Sequence, residues 1–263
     1  MIRTYISGEV IEKTKFWVPA GVKVRSGRVK GNTSAAKYDQ NYRAAIKAAA
    51  RTLNCNFGSG DILLTCKYCN EALNQIKQDE TVRDRFIRNF LRRLRRALGS
   101  SGRDLKAFIV HSSVDGESGR PVRPHVHIVI TGTDISFSDG EWIVSQNRTL
   151  SDLWGLGSVY GEPLHGGDLT PLALYMLRQA RRRDGKPSYT HTRNMATPII
   201  MERICPTSSP LKNPAKTILL ESGQYNAETG THYIRYFKPR VRERTHARLQ
   251  AEDESVPDPK RSV

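Results

Sequence analysis

The chain is poor in long apolar runs and in cysteine. None of its apolar runs approaches the roughly 18 residues that a membrane-spanning helix requires, and the opening residues MIRTYISGEV do not have the pattern of a signal peptide. Its four cysteines are unevenly spaced in a sequence of 263 residues, which is long enough to bury a core without disulfides. We therefore expect a cytoplasmic protein with reduced thiols and no membrane partner.

Acidic residues are scarce relative to basic ones. Lys and Arg number 42 against 26 Asp and Glu, which gives a net charge of +16 and a pI near 9.9. An excess of this size usually indicates a polyanionic partner, most often nucleic acid. The sequence contains no G-x-x-x-x-G-K-[ST] motif, so we do not expect it to unwind DNA as a P-loop helicase does.

The clearest predicted helix, residues 81–98, has a single acidic residue, Asp84. Its apolar residues form one stripe at helical spacing, and most of the other positions are Arg. A helix that merely faces solvent usually interleaves Glu among its basic residues, so this arginine-rich face favours contact with phosphates. The alternative is an ordinary solvated face. The candidate DNA-binding residues on this helix are Arg88, Arg92, Arg95 and Arg96.

Two histidines, His125 and His127, lie two residues apart in an apolar, β-branched segment. Residues 105–114 and 124–132 are predicted to be two strands joined by a polar hairpin connection. Side chains at i and i+2 of a strand point to the same face, and two stiffly held imidazoles there suit one metal ion. The pair therefore predicts a metal site.

A catalytic metal site needs a third protein ligand while leaving coordination positions open. We favour His111, because its strand is predicted to pair with the strand of His125 and His127. Asp115 and Glu117, in the polar turn between the two strands, are the alternatives.

The predicted helix at residues 170–183 carries the candidate nucleophile. At about 100° per residue, its apolar residues cluster on one side, and Tyr175, Arg178 and Arg182 fall on the other. A phenol becomes a nucleophile when a metal stabilises charge on the phosphate and a cation such as Arg178 holds a phosphate oxygen or eases deprotonation. The alternative is a tyrosine at a helix–solvent boundary. Arg181 and Arg182 extend the basic end of the helix as candidate DNA contacts.

These residues resemble the HUH endonucleases, and among them the rolling-circle replication initiators of phages and plasmids. The resemblance covers roughly residues 60–200, and its motifs occur in the order of that family. Two departures are Arg178, where the family usually has Lys, and His111, where many members carry Glu. The matching segments are Ile62-Leu63-Leu64-Thr65, Pro124-His125-Val126-His127-Ile128-Val129 and Leu174-Tyr175-Met176-Leu177-Arg178.

The resemblance implies an α+β fold with a central antiparallel sheet of about five strands flanked by helices. It divides the chain into an N-terminal arm and helix (residues 1–55), a nuclease domain (56–200) and a C-terminal extension with a flexible basic tail (201–263).

The implied activity is metal-dependent nicking and joining of single-stranded DNA at a replication origin, with Mg²⁺ or Mn²⁺ as cofactor. Tyr175 would form a 5′-phosphotyrosine link and release a 3′-hydroxyl for a host polymerase, with a host helicase unwinding the duplex in the bacterial cytoplasm. A single-tyrosine transposase and a non-catalytic nucleic-acid-binding protein are the alternatives.

Overall fold

Two five-stranded antiparallel sheets and five α-helices make up most of the described structure. The computed structural model describes residues 1–17, 35–132, 134–144, 148–180, 189–205 and 209–239. No helix within these residues has both the length and the apolar character to cross a membrane. The helices are α1 (Ala35–Asn56), α2 (Asn70–Gln78), α3 (Val82–Leu98), α4 (Leu150–Trp154) and α5 (Thr170–Gln179).

The first sheet comes from the middle of the chain and confirms the predicted α+β class with a five-stranded antiparallel sheet. Its strands occur in the spatial order β10–β4–β5–β3–β9, and every neighbouring pair is antiparallel. The hairpin predicted from the two histidine-containing segments is the β4–β5 pair at its centre. The strands are β3 (Ile62–Lys67), β4 (Ala107–Val114), β5 (Pro121–Ile130), β9 (Val159–Pro163) and β10 (Thr190–His191).

The two faces of the first sheet pack against different helices. Since successive side chains of a strand alternate between faces, Leu64 and Cys66 lie in one core with α2, α3 and α4. Leu63, between Ile62 and Leu64 on β3, lies in a second core with α1 and α5. The apolar stripe predicted for α3 is confirmed, because all of its large apolar residues are buried against the first of these cores. The sheet thus separates the molecule's helices into two layers.

The second sheet pairs strands from the predicted N-terminal arm and helix (1–55) with strands from the predicted C-terminal extension (201–263). The N-terminal hairpin lies between C-terminal strands in the order β11–β1–β2–β13–β12. The sequence could not show this pairing, because its partners are about two hundred residues apart. The tail predicted beyond residue 239 lies outside the described residues. The strands are β1 (Ile2–Ser7), β2 (Val10–Lys15), β11 (Ile199–Arg203), β12 (Ile218–Ser222) and β13 (His232–Phe237).

Polar contacts fasten the second sheet to α1. The Arg51 guanidinium donates to the largely buried carboxylate of Glu12 at 2.7 and 3.0 Å and lies 3.5 Å from the centre of the Tyr5 ring. Gly8, in the β1–β2 turn, has a φ of +61°, and a side chain there would collide with the backbone carbonyl of Asn54.

A small antiparallel sheet completes the fold with β6 (Ser136–Ser138), β7 (Glu141–Val144) and β8 (Arg148–Thr149).

Candidate metal and nucleophile site

His125 and His127 bring their ring nitrogens together on the α5 side of β5. The two Nε2 atoms lie 3.2 Å apart, and the rings are nearly perpendicular. Two nitrogens bound to one divalent ion at about 2.1 Å would lie roughly 3 Å apart at a right angle. The sequence predicted that both imidazoles share one face, and their convergence fits two ligands of a single metal ion.

Hydrogen bonds at the far side of each ring orient the pair. His125 Nδ1 lies 3.0 Å from the Arg123 carbonyl, which can only accept, so Nδ1 carries the proton. His127 Nδ1 lies 3.1 Å from the hydroxyl of Thr65, its cross-strand partner on β3. In the tautomer in which His127 Nδ1 donates to Thr65, both Nε2 atoms present lone pairs to the same point, as neutral metal-binding histidines do. Thr65 belongs to the motif recognised in the sequence, but only the structure reveals this orienting contact.

Burial keeps His127 in the neutral form that binds metals. The side chain is only 1% exposed, and loss of hydration lowers the pKa of His127 to about 4. A hydrogen bond from the protonated His127 ring to the Gln179 amide oxygen opposes this shift in pKa, and the neighbouring charge of His125 adds to it. At neutral pH the imidazole therefore needs no deprotonation before it binds a cation.

The prediction that His111 is the third ligand is wrong. His111 pairs with Val126 in the β4–β5 register, so its side chain lies on the face opposite to His125 and His127. Its Nε2 lies 3.7 Å from a carboxylate oxygen of Asp84 on α3. The sequence could not distinguish the faces, because a register shift of one residue moves every side chain of a strand to the other side.

The two alternative ligands in the β4–β5 turn are also absent from the site. The Asp115 carboxylate accepts hydrogen bonds from the backbone of Glu117 and from the backbone and hydroxyl of Ser118. Those bonds close the turn, and they lower the pKa of Asp115. Within the part of the chain that the structure describes, no group of three or more His, Cys, Asp or Glu side chains could hold a metal ion.

Gln179 supplies the third oxygen or nitrogen atom at the histidine pair. Its Oε1 lies 3.3 Å from His127 Nε2. The residue lies at the end of α5, where Ala180 leaves the helix and bridges to Ser112 on β4. An amide oxygen is a good ligand for Mg²⁺ or Mn²⁺. Gln179 was not predicted from the sequence, although its position four residues after Tyr175 puts both on one helix face.

Tyr175 projects from α5 toward the histidine pair. Its ring centre lies 5.4 Å from that of His127, and the side chain is 49% exposed. The helix is anchored by Ala173, Met176 and Leu177, which are buried on its other side as predicted. Arg178 is exposed on the helix. The helix ends at Gln179 rather than at residue 183, and Arg181 and Arg182 lie outside the described residues.

The arginine-rich helix α3 lies across the sheet from this site. Arg88, Arg92 and Arg96 are exposed, and Arg95 is half-buried. Since α3 packs against the face opposite to His127, none of these side chains adjoins the histidine pair. Another arginine of the helix is structural, as Arg93 donates to the carbonyl oxygens of Leu153 and Trp154 at 2.7 and 2.8 Å.

A cavity of about 440 Å³ lies next to Tyr175, between α5 and the β3–β9 edge of the sheet. It shares Thr65 and Tyr175 with the histidine site, so the two are continuous. The β9 residues that line it were not predicted from the sequence as part of a site. The full lining is Leu63, Thr65, Lys67, Tyr160, Glu162, Leu172 and Tyr175.

No protein-family model matches the chain, and no similar protein was found among curated proteins or solved structures.

Proposed function

We propose that the protein cleaves and rejoins single-stranded DNA through Tyr175, with a divalent metal held by His125, His127 and Gln179. The observation that carries this proposal is the position of the exposed Tyr175, whose ring centre lies 5.4 Å from that of His127. The Nε2 atom of His127 in turn lies 3.2 Å from that of His125. The sequence resemblance to rolling-circle replication initiators points to a replication origin as the substrate. The protein's net charge of +16 supports a polyanionic substrate.

The reaction is an exchange of one phosphodiester bond for another. The Tyr175 oxygen attacks the scissile phosphorus, the bond from phosphorus to the 3′-oxygen breaks, and the phenol proton passes to solvent as the leaving oxygen is protonated. The products are a 5′-phosphotyrosine and a free 3′-hydroxyl. Attack of a 3′-hydroxyl on the phosphotyrosine reverses these steps and rejoins the strand without another energy source.

Each side chain has a separate part in this proposal. A bound divalent metal would polarise the phosphate and stabilise its developing negative charge. Thr65 and the Arg123 carbonyl orient the histidines, and Gln179 completes the ligand set. Arg178, exposed on α5 beyond Tyr175, holds a phosphate oxygen. In the cell, a host polymerase would extend the 3′-hydroxyl, and a host helicase would unwind the duplex.

A purely DNA-binding role gives no reason for the histidine geometry. Burying His127 costs free energy, because the imidazole loses the water that hydrates it in the unfolded chain. The same loss of hydration lowers its pKa. A protein that only bound phosphates would gain from a charged histidine rather than a neutral one. A buried, neutral His127 beside an exposed tyrosine therefore favours metal-assisted chemistry.

The test is formation of a covalent protein–DNA adduct. The protein is incubated with a pool of single-stranded oligonucleotides and Mn²⁺ or Mg²⁺, and adducts are detected on denaturing gels. We expect an adduct that EDTA suppresses and that Tyr175→Phe abolishes, while Tyr225→Phe, in the second-sheet region, retains it. An adduct that persists in Tyr175→Phe would contradict the assignment. Religation of a closed circle, rather than excision of a transposon end, would identify the initiator role.

A further inference from the structure

The cavity beside Tyr175 lies on the same face of the sheet as the histidine pair. In the β3–β5 register Thr65 pairs with His127, and in the β3–β9 register Thr65 pairs with Tyr160. Directly opposed residues of antiparallel strands share a face. With strands about 4.8 Å apart, Tyr160 lies two strands, or roughly 10 Å, from His127. That distance suits the base of a nucleotide whose neighbouring phosphate is held at the histidines.

The cavity's lining suits a nucleobase better than a phosphate. Leu63 and Leu172 provide apolar surface, and the ring of Tyr160, 61% exposed, provides a flat platform for stacking. Glu162, opposite Leu63 in the β3–β9 register, adds a carboxylate that repels phosphate and only accepts hydrogen bonds. The volume of about 440 Å³ is in the range of small-molecule sites.

Lys67 links the cavity to the metal pair. It lines the cavity and pairs with His125 in the β3–β5 register, so it adjoins both the cavity and the histidine pair on one face of the sheet. A nucleotide whose base occupies the cavity would place its own phosphate near this cation. The cavity thus offers an apolar and acceptor-bearing end for a base and a cationic end for the backbone.

We propose that this cavity binds the base next to the scissile phosphate, stacked on Tyr160 and recognised by Glu162, with guanine preferred. This inference rests on the proposed function and specifies its substrate. A carboxylate with two acceptor oxygens matches the two adjacent N–H donors of guanine, N1–H and the N2 amino group. Adenine and cytosine offer only an amino group at the corresponding edge, and thymine offers a single N–H.

The experiment compares base preference position by position. Wild-type protein and variants are incubated with fully randomised single-stranded DNA and Mn²⁺, and the adducts are sequenced relative to the linked phosphate. In parallel, DNA retained by Tyr175→Phe protein, with and without the same second substitution, is sequenced without any need for cleavage. The variants are Glu162→Gln and Tyr160→Ala, with Tyr160→Phe as the conservative change. The matched controls are Glu141→Gln and Phe137→Ala, which alter an exposed carboxylate and an exposed ring outside the cavity.

We expect wild-type protein to prefer guanine at one position flanking the linked phosphate. Glu162→Gln should reduce that preference about tenfold or more and shift it toward adenine, whose donor and acceptor edge matches an amide. A change of preference cannot result from misfolding. Tyr160→Ala should weaken DNA retention about tenfold, and Tyr160→Phe should restore it.

Unchanged base preference in Glu162→Gln would overturn the inference while leaving the nuclease assignment intact. Absence of any adduct, together with Glu162-dependent preference in the retained DNA, would overturn the nuclease assignment and support the base-binding cavity. The inference would also be overturned if Glu141→Gln changed base preference as much as Glu162→Gln does, or if Phe137→Ala weakened DNA retention as much as Tyr160→Ala does.

Discussion

The two faces of the first sheet differ in what their polar residues do. On one face, the Nε2 atoms of His125 and His127 converge near the Gln179 amide oxygen, and the Tyr175 ring lies beside His127. On the other face, the arginines of α3 surround an apolar stripe, and their exposed members point away from the sheet. From the sequence, His125 and His127 were candidate metal ligands and Tyr175 the candidate nucleophile, whereas the arginines of α3 were candidate DNA contacts. The structure separates them, so a high density of basic residues does not mark the position of the candidate active site.

His111 and His127 show the same contrast on adjacent strands. His127 lies among Thr65, Gln179 and Tyr175, whereas His111 lies near Asp84 in the layer of α3. Their strands are neighbours, and Val110 rather than His111 is the partner of His127. One residue of register therefore decides which histidine can serve the proposed metal.

The largest expected effect tests this contrast directly. His127→Ala removes a proposed ligand and should lower adduct formation by at least about 100-fold, whereas His111→Ala should retain adduct formation within a few-fold. The rates are measured with single-stranded DNA and Mn²⁺ on denaturing gels. Equal losses in the two variants would mean that the faces are not functionally distinct.

The next effect concerns stability and pH. Because burial lowers the pKa of His127 to about 4, below the roughly 6.5 of an unfolded histidine, the unfolded chain binds a proton that the folded chain does not between these values. Stability of the metal-free protein should therefore fall as the pH drops from about 6.5 to about 4, by on the order of 3 kcal/mol. Urea unfolding in EDTA measures this change. His127→Gln should remove this contribution, and an unchanged pH dependence would contradict it.

A smaller effect is expected from Gln179, the proposed third ligand. Gln179→Ala should weaken Mn²⁺ binding about tenfold, as measured by calorimetry, and Gln179→Glu should restore or strengthen it because a carboxylate is a better ligand for this ion. The Asp115→Asn variant is the control, since that carboxylate is committed to its turn. Loss of metal binding in the control alone would restore Asp115 as a ligand.

The smallest effect is expected from the arginines of α3, on the face of the first sheet opposite to His127. Replacing Arg88, Arg92 and Arg96 together by Gln should weaken DNA binding several-fold and reduce its salt dependence, because fewer cations attract the phosphates. The cleavage rate of DNA already bound should not change. A loss of single-turnover cleavage as large as that of His127→Ala would show that α3 takes part in the chemistry.

Local patterns predicted the elements that build the candidate site. The apolar, β-branched segments around His111 and His127 predicted β4 and β5, and helical spacing around Tyr175 predicted α5 with its apolar side inward. These predictions succeeded because strand-forming runs and helical periodicity depend on neighbours in the chain. The failure at His111 arose where the prediction needed the register between two strands, which depends on the turn that joins them.

The sequence by itself determined that His125 and His127 share a face, that Tyr175 lies opposite the apolar side of its helix, and that the protein is strongly basic. Tertiary structure alone decided that Gln179 adjoins the pair, that Tyr160 and Glu162 complete a cavity beside Tyr175, and that β1 and β2 share one sheet with β11, β12 and β13. The physical reason is distance along the chain. Periodicity governs which way a side chain points from its own element, whereas strand order, register and helix packing govern what it meets.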